Sequence, residues 1–165
     1  SMNPCPCGYY GSDIPGHSCS CSISQIQRYR AKISGPLLDR IDIHIEVPAV
    51  KYEDLSALPQ GEKSKDIRKR VNNSRKIQLE RFKNSKIYSN SQLNPKQIRK
   101  HCNLNKESKN LLKLAMEKTG LSARAYNRIL KVSRTIADLD GCENIKTAHI
   151  SEAVQYRSLD KKFWE

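Results

Sequence analysis

Apolar residues recur along this chain with two different periods. In RIDIHIEVP, Ile41, Ile43, Ile45 and Val47 alternate with polar residues, and a period of two predicts one strand with one buried face, ended by Pro48. No second strand pattern follows, so the partners of this strand are expected to lie outside the chain. Every other periodic stretch is helical. SISQIQRYRAKIS predicts a short basic helix over about 24–32, and EKSKDIRKRVNNSRKIQLERFKNSK a long one over 62–86 whose narrow stripe is Ile67, Val71 and Phe82.

Cap chemistry divides what remains. Asn94 before Pro95 marks the start of a short helix, Pro95–His101. Asn105 caps the next, in which Leu111, Leu112, Ala115 and Met116 share a face and Gly120 is the stop. Ser122 opens a third, with Tyr126, Ile129, Leu130, Ser133, Ile136 and Ala137 inward and Gly141 closing it. Thr147 is expected to cap a last helix that buries Ile150, Ala153 and Val154. The fold class is therefore mainly α: a helical bundle over 62–165, a largely non-helical arm over 1–50, and a linker over 51–61 with at most one helical turn.

Residues 3–22 obey neither period. Gly8, Gly11, Gly16, Pro4, Pro6 and Pro15 interrupt any regular backbone there, and the stretch reads as a compact loop. Within it Cys5, Cys7, Cys19 and Cys21 form two C-x-C pairs. Zinc is commonly held by two short-spaced thiolate pairs converging across a loop, although the usual spacing within a pair is two to four residues rather than one. CPCG resembles a CPxCG zinc knuckle with one residue missing, and His17 can stand in for a cysteine. Structural zinc, reduced thiols and disulfides are the three readings. Cys102 and Cys142 fit helix packing instead.

Charge adds a partner class. Thirty Lys and Arg oppose seventeen Asp and Glu, a net charge of +13, which concentrates polyanions at the surface and points to nucleic acid. Ten of these cations fall between Glu62 and Lys86, where Lys69, Arg70, Arg75 and Lys76 are the candidate DNA contacts. No stretch reaches the length of about 20 apolar residues that a membrane helix needs, and no signal-peptide core opens the chain. A cytoplasmic, reducing location follows as the expectation, and it disfavours disulfides.

Catalytic motifs are missing. QGEKS lacks the first glycine of a phosphate loop, and neither G-x-S-x-G, H-E-x-x-H nor G-x-G-x-x-G occurs, so this chain alone is not expected to hydrolyse a nucleotide. Two arginines stand out by position. Arg40 follows a Gly-Pro turn at the edge of the expected strand; Arg124 lies in the first turn of a well-capped helix, where dipole and guanidinium together favour a phosphate. Ordinary surface roles are the alternative for both.

Taken in order, MNPCPCG, RYRAKISGPLLDRIDIHIEVP, LSARAYNRILKVSRTIADLDG and HISEAVQYR resemble the C-terminal half of the bacterial magnesium-chelatase-like AAA+ ATPases of the competence-associated ComM, or YifB-like, type. The resemblance runs from Met2 to Arg157 and implies that residues 1–50 end an AAA+ core whose phosphate loop lies upstream, while 62–165 form its helical lid. It further implies that Asn3 is the sensor-one residue, Arg40 the arginine finger offered to a neighbouring subunit, and Arg124 the sensor-two arginine. ATP and Mg²⁺ in the longer protein, a hexameric ring and DNA branch migration are implied with them. A basic, zinc-stabilised nucleic-acid-binding module without enzymatic activity is the competing expectation.

Overall fold

The computed structural model describes residues 1–12, 16–48 and 61–157, so the expected linker helix turn lies outside the described residues. The chain forms two compact units. One holds Ser1–Leu38 with the segment from Ile45; the other holds Asp39–His44 with the chain from Gly61.

In the first unit, α1 (Ile23–Arg30) starts two residues after Cys21, behind an N-cap where Ser22 accepts from Gln25 N–H and the Gln25 side chain reaches back to Ser22 N–H. A single turn, α2 (Gly35–Leu38), follows where the Gly-Pro sequence predicts a bend. Among the described residues of this unit, Ile26 and Leu38 are the buried aliphatic ones.

The second unit is a bundle of α3 (Ser64–Phe82), α4 (Pro95–His101), α5 (Lys106–Thr119), α6 (Ala123–Leu139) and α7 (Thr147–Gln155), with one 3₁₀ turn at Asn90–Gln92. Asn94, Asn105 and Ser122 cap α4, α5 and α6 as their positions predict, and Gly120 adopts the left-handed stop at φ 64°. The central helix is α6. Its buried Ala125, Ile129, Leu130, Ile136 and Ala137 meet Phe82, Leu93, Ile98, Leu112 and Ile150 in one core.

Three expectations are corrected. The strand does not form: among the described residues no ladder exists, and Ile41, Ile43, Ile45 and Val47 are 41%, 44%, 66% and 81% exposed, while His44 between them is buried. Lacking a sheet to enter, the segment donates His44 N–H to Tyr156 C=O at 2.7 Å instead. The stripe of α3 is also different. Ile67 and Val71 are exposed, and the helix buries Ser74, Gln78 and Phe82, because its first turns extend beyond the core. Finally, Lys146 rather than Thr147 is the N-cap of α7; its N–H donates to His149 Nδ1 at 3.0 Å, and the Thr147 hydroxyl instead lies 3.2 Å from that of Ser108 on α5.

Cys102 sits in the core, and burial pushes its thiol up to about 11. The unfolded thiol ionises near 9, so Cys102 adds stability that is complete below pH 9 and is lost as pH rises toward 11. Unfolding free energy measured across this window should fall more steeply for the native chain than for Cys102→Ala, by roughly 2–3 kcal/mol in total; parallel curves would show that the thiol titrates freely.

Candidate functional site

The four loop cysteines converge. Their sulfurs all lie within 4.8 Å of one another, with Cys5–Cys7 at 3.3 Å, Cys5–Cys19 at 3.7 Å and Cys7–Cys19 at 3.6 Å. None is a disulfide. Gly8 makes the turn: at φ 88° it occupies a region costly for a side chain, and its N–H lies 3.1 Å from Cys5 C=O and 3.2 Å from Cys5 Sγ.

Backbone amides crowd the sulfurs. The Tyr9 amide, followed by the Cys5 thiol, pulls the Cys7 thiol down to about 6. The amide of Cys7 favours a thiolate at Cys21, but burial and the three neighbouring sulfurs outweigh it and push Cys21 up to about 12. His17 is not among the converging ligand atoms; it stacks on Tyr9, ring centroids 4.9 Å apart.

Asn3 stands two residues before this knot, exposed, with its amide against Gly8: a Cβ built on that glycine would lie 3.7 Å from Asn3 Nδ2. Arg30, at the end of α1, donates from Nε to Pro4 C=O at 3.3 Å and lies 5.0 Å over the Tyr10 ring. The sensor candidate, the knot and α1 therefore form one local assembly.

Arg40 belongs to the second unit. It is exposed, and it makes no hydrogen bond or ion pair among the described residues. Its neighbours are held firmly: buried Arg157 donates to Ile41 C=O and lies 3.7 Å from the Asp39 carboxylate, and Arg128 of α6 pairs with Asp42. Arg124, also exposed and unpaired among the described residues, precedes Arg128 by one helical turn, on the same face of α6. The salt bridge of Arg128 thus joins the segment carrying Arg40 to the helix carrying Arg124. Sequence reasoning missed Arg128 and Arg157 because their carboxylate and carbonyl partners lie far away along the chain.

It also missed a buried ionic cluster. Asp138 accepts from both Nη atoms of Arg81 and from Nε of Arg134, and Asn90 Nδ2 donates to it at 2.8 Å. Arg134 adds bonds to the carbonyls of Cys142 and Glu143 at 2.6 and 2.7 Å. With Asp138 2% and Arg134 3% exposed, this cluster is structural.

Of the candidate DNA contacts, all four are exposed on α3. Arg70 pairs with Glu62 at 2.8 Å and Arg75 donates to Gln78 at 3.2 Å; Lys69 and Lys76 make no such bond among the described residues. No helix of the described residues is long and apolar enough to cross a membrane.

The family described as "Magnesium chelatase, subunit ChlI C-terminal" matches residues 61–157. The chain belongs to that family. A companion family, "Magnesium chelatase, subunit ChlI", matches residues 1–55, so the ChlI C-terminal match covers the bundle from Gly61 and the companion match covers the cysteine knot and Arg40. Among curated relatives, "Competence protein ComM" of Haemophilus influenzae is 45% identical over 160 residues, 96% of this chain. Proteins of Escherichia coli and Mycobacterium tuberculosis, the first called YifB and both uncharacterized, are 38% and 28% identical over 98% and 95% of it. The chain spans 30% of the length of each of these relatives.

Proposed function

We propose that the chain is the C-terminal part of a ring-forming, ATP-driven DNA motor of the branch-migration type, working in the cytoplasm. In this reading Asn3 orients the attacking water as sensor one, Arg40 reaches the γ-phosphate bound by a neighbouring subunit, and Arg124 contacts the nucleotide from the helical lid as sensor two. ATP and Mg²⁺ are held by residues of the longer protein, a phosphate loop being absent from this sequence. Six subunits close the ring, and Lys69, Arg70, Arg75 and Lys76 contact DNA phosphates.

The observation that carries the reading is the seating of Arg40. An arginine finger must be exposed, uncommitted and rigidly based, because its catalytic value depends on preorganised charge at the transferred phosphate. Arg40 is exposed without a partner among the described residues, while Asp39, Ile41 and Asp42 around it are bonded to Arg157 and Arg128. The resemblance of the whole chain to "Competence protein ComM" supports the DNA-directed part.

The decisive assay is ATP turnover and strand exchange by the longer protein, expected to depend on DNA; DNA binding without turnover would favour the non-enzymatic module. For this chain, contact through the four α3 cations predicts that log K for duplex DNA falls against log salt with a slope of about −4. Lys69→Ala with Lys76→Ala should reduce that slope by about 2, and binding insensitive to salt would leave α3 as a solvated face.

A further inference from the structure

We propose that Cys5, Cys7, Cys19 and Cys21 bind a single zinc ion as a tetrathiolate, and that this ion holds the cysteine loop and the start of α1 together.

Geometry comes first. A Zn–S bond of about 2.3 Å in a regular tetrahedron sets the sulfurs about 3.8 Å apart, and the observed separations of 3.3, 3.6 and 3.7 Å lie just inside that edge. A disulfide needs about 2.05 Å, so the sulfurs are too far apart for a bond and close enough to share one cation. With all four within 4.8 Å, the set also fits one ion better than an iron–sulfur cluster, whose thiolates sit on different metals and stand further apart. Four soft ligands without an open position describe a structural zinc site rather than a catalytic one.

The surroundings fit a doubly negative centre. Amides of Gly8, Tyr9 and Tyr10 donate to the first pair of sulfurs, the outer-shell bonds that orient ligands and spread thiolate charge. Pro6 lies between Cys5 and Cys7, where its ring fixes φ and restrains the backbone of the first pair.

A second, independent observation is the thin apolar packing around the loop. Among the described residues of the unit, Cys5, Ile26 and Leu38 are the buried apolar ones, whereas the core of the bundle draws on twelve. Closing the fourteen-residue span from Cys5 to Cys19 with a metal adds stability there, since binding energy at such sites is folding energy. The ion would thereby hold Asn3 and the start of α1 in place. The zinc assignment does not rest on the role proposed for Asn3, and its test does not involve ATP.

The test is metal analysis of the purified full chain, with replacement by Co²⁺. One zinc per chain is expected, together with the thiolate-to-metal charge-transfer and tetrahedral d–d bands of the cobalt form. Both should vanish in Cys5→Ser with Cys7→Ser and persist in Cys102→Ser. Removing the metal with a chelator should expose residues 1–38 to proteolysis while the helical circular dichroism of the bundle is retained. If the double variant does not fold, the cobalt spectrum of the native chain decides. A folded metal-free chain, stoichiometric iron, or a cobalt spectrum without tetrathiolate bands overturns the proposal.

Discussion

Arg40→Ala, placed in the longer protein, is expected to lower DNA-dependent ATP turnover by about 10³- to 10⁵-fold, the range over which fingers supplied by a neighbouring subunit act on phosphoryl transfer. In the proposed role the effect should fall on kcat, because a finger's guanidinium meets charge that develops on the transferred phosphate and is nearly absent in the ground state. Arg40→Lys should recover little, since an ammonium cannot reproduce the planar two-point contact. Rings assembled from Arg40→Ala subunits and subunits disabled in their own phosphate loop provide a sharper check, as each then supplies what the other lacks. Arg128→Ala should lower turnover by a smaller factor. It leaves Arg40 itself intact and removes only the bridge to Asp42, two residues along the same segment. Unchanged turnover in Arg40→Ala would assign the finger to another residue.

Asp138→Ala should cost the bundle about 3–5 kcal/mol, the loss typical of removing one partner from a buried ionic set. Asp138 is the shared acceptor of Arg81, Arg134 and Asn90, so its removal leaves two guanidinium groups facing each other without a counter-charge. Burial already disfavours the charged form of Arg134, and Arg81 adds to that, while Asp138 opposes both. Against a total stability of about 5–15 kcal/mol for an ordinary domain, the variant should be largely unfolded or shifted far down in urea midpoint. Replacing Arg81, Arg134 and Asp138 together with apolar residues of similar size should cost much less, because no buried charge is then stranded. A loss below about 1 kcal/mol on Asp138→Ala would mean that water reaches the cluster.

Much of the bundle was legible because its signals are local. An asparagine or serine that bonds an amide three residues on, and a glycine that accepts positive φ, act within one turn, so Asn94, Asn105, Ser122 and Gly120 fell where their types predict. The expected strand failed for the complementary reason. Alternation records which side chains can share a face, whereas a strand exists only if another backbone accepts its hydrogen bonds, and among the described residues the backbone of 41–48 donates to the carbonyl of Tyr156 without forming a ladder.

The same distinction runs through the candidate site. Cys5, Cys7, Cys19 and Cys21 could be paired from spacing, because short loops constrain where their thiols can go. Their convergence within 4.8 Å is a three-dimensional result, made by the turn at Gly8 and the amides around it. Arg40 and Arg124 could be singled out by position, yet the bridge from Arg128 to Asp42 that joins their supports spans 86 residues. The chain's own order thus determined the helices, their caps, the surplus of positive charge and the pairing of the cysteines, all set by residue type and short-range bonds. Only the tertiary structure decided that Asp138 lies between two arginines and that the segment around Arg40 is strapped to the bundle. Those contacts depend on groups distant in sequence meeting in a low-dielectric interior, and no local pattern encodes such a meeting.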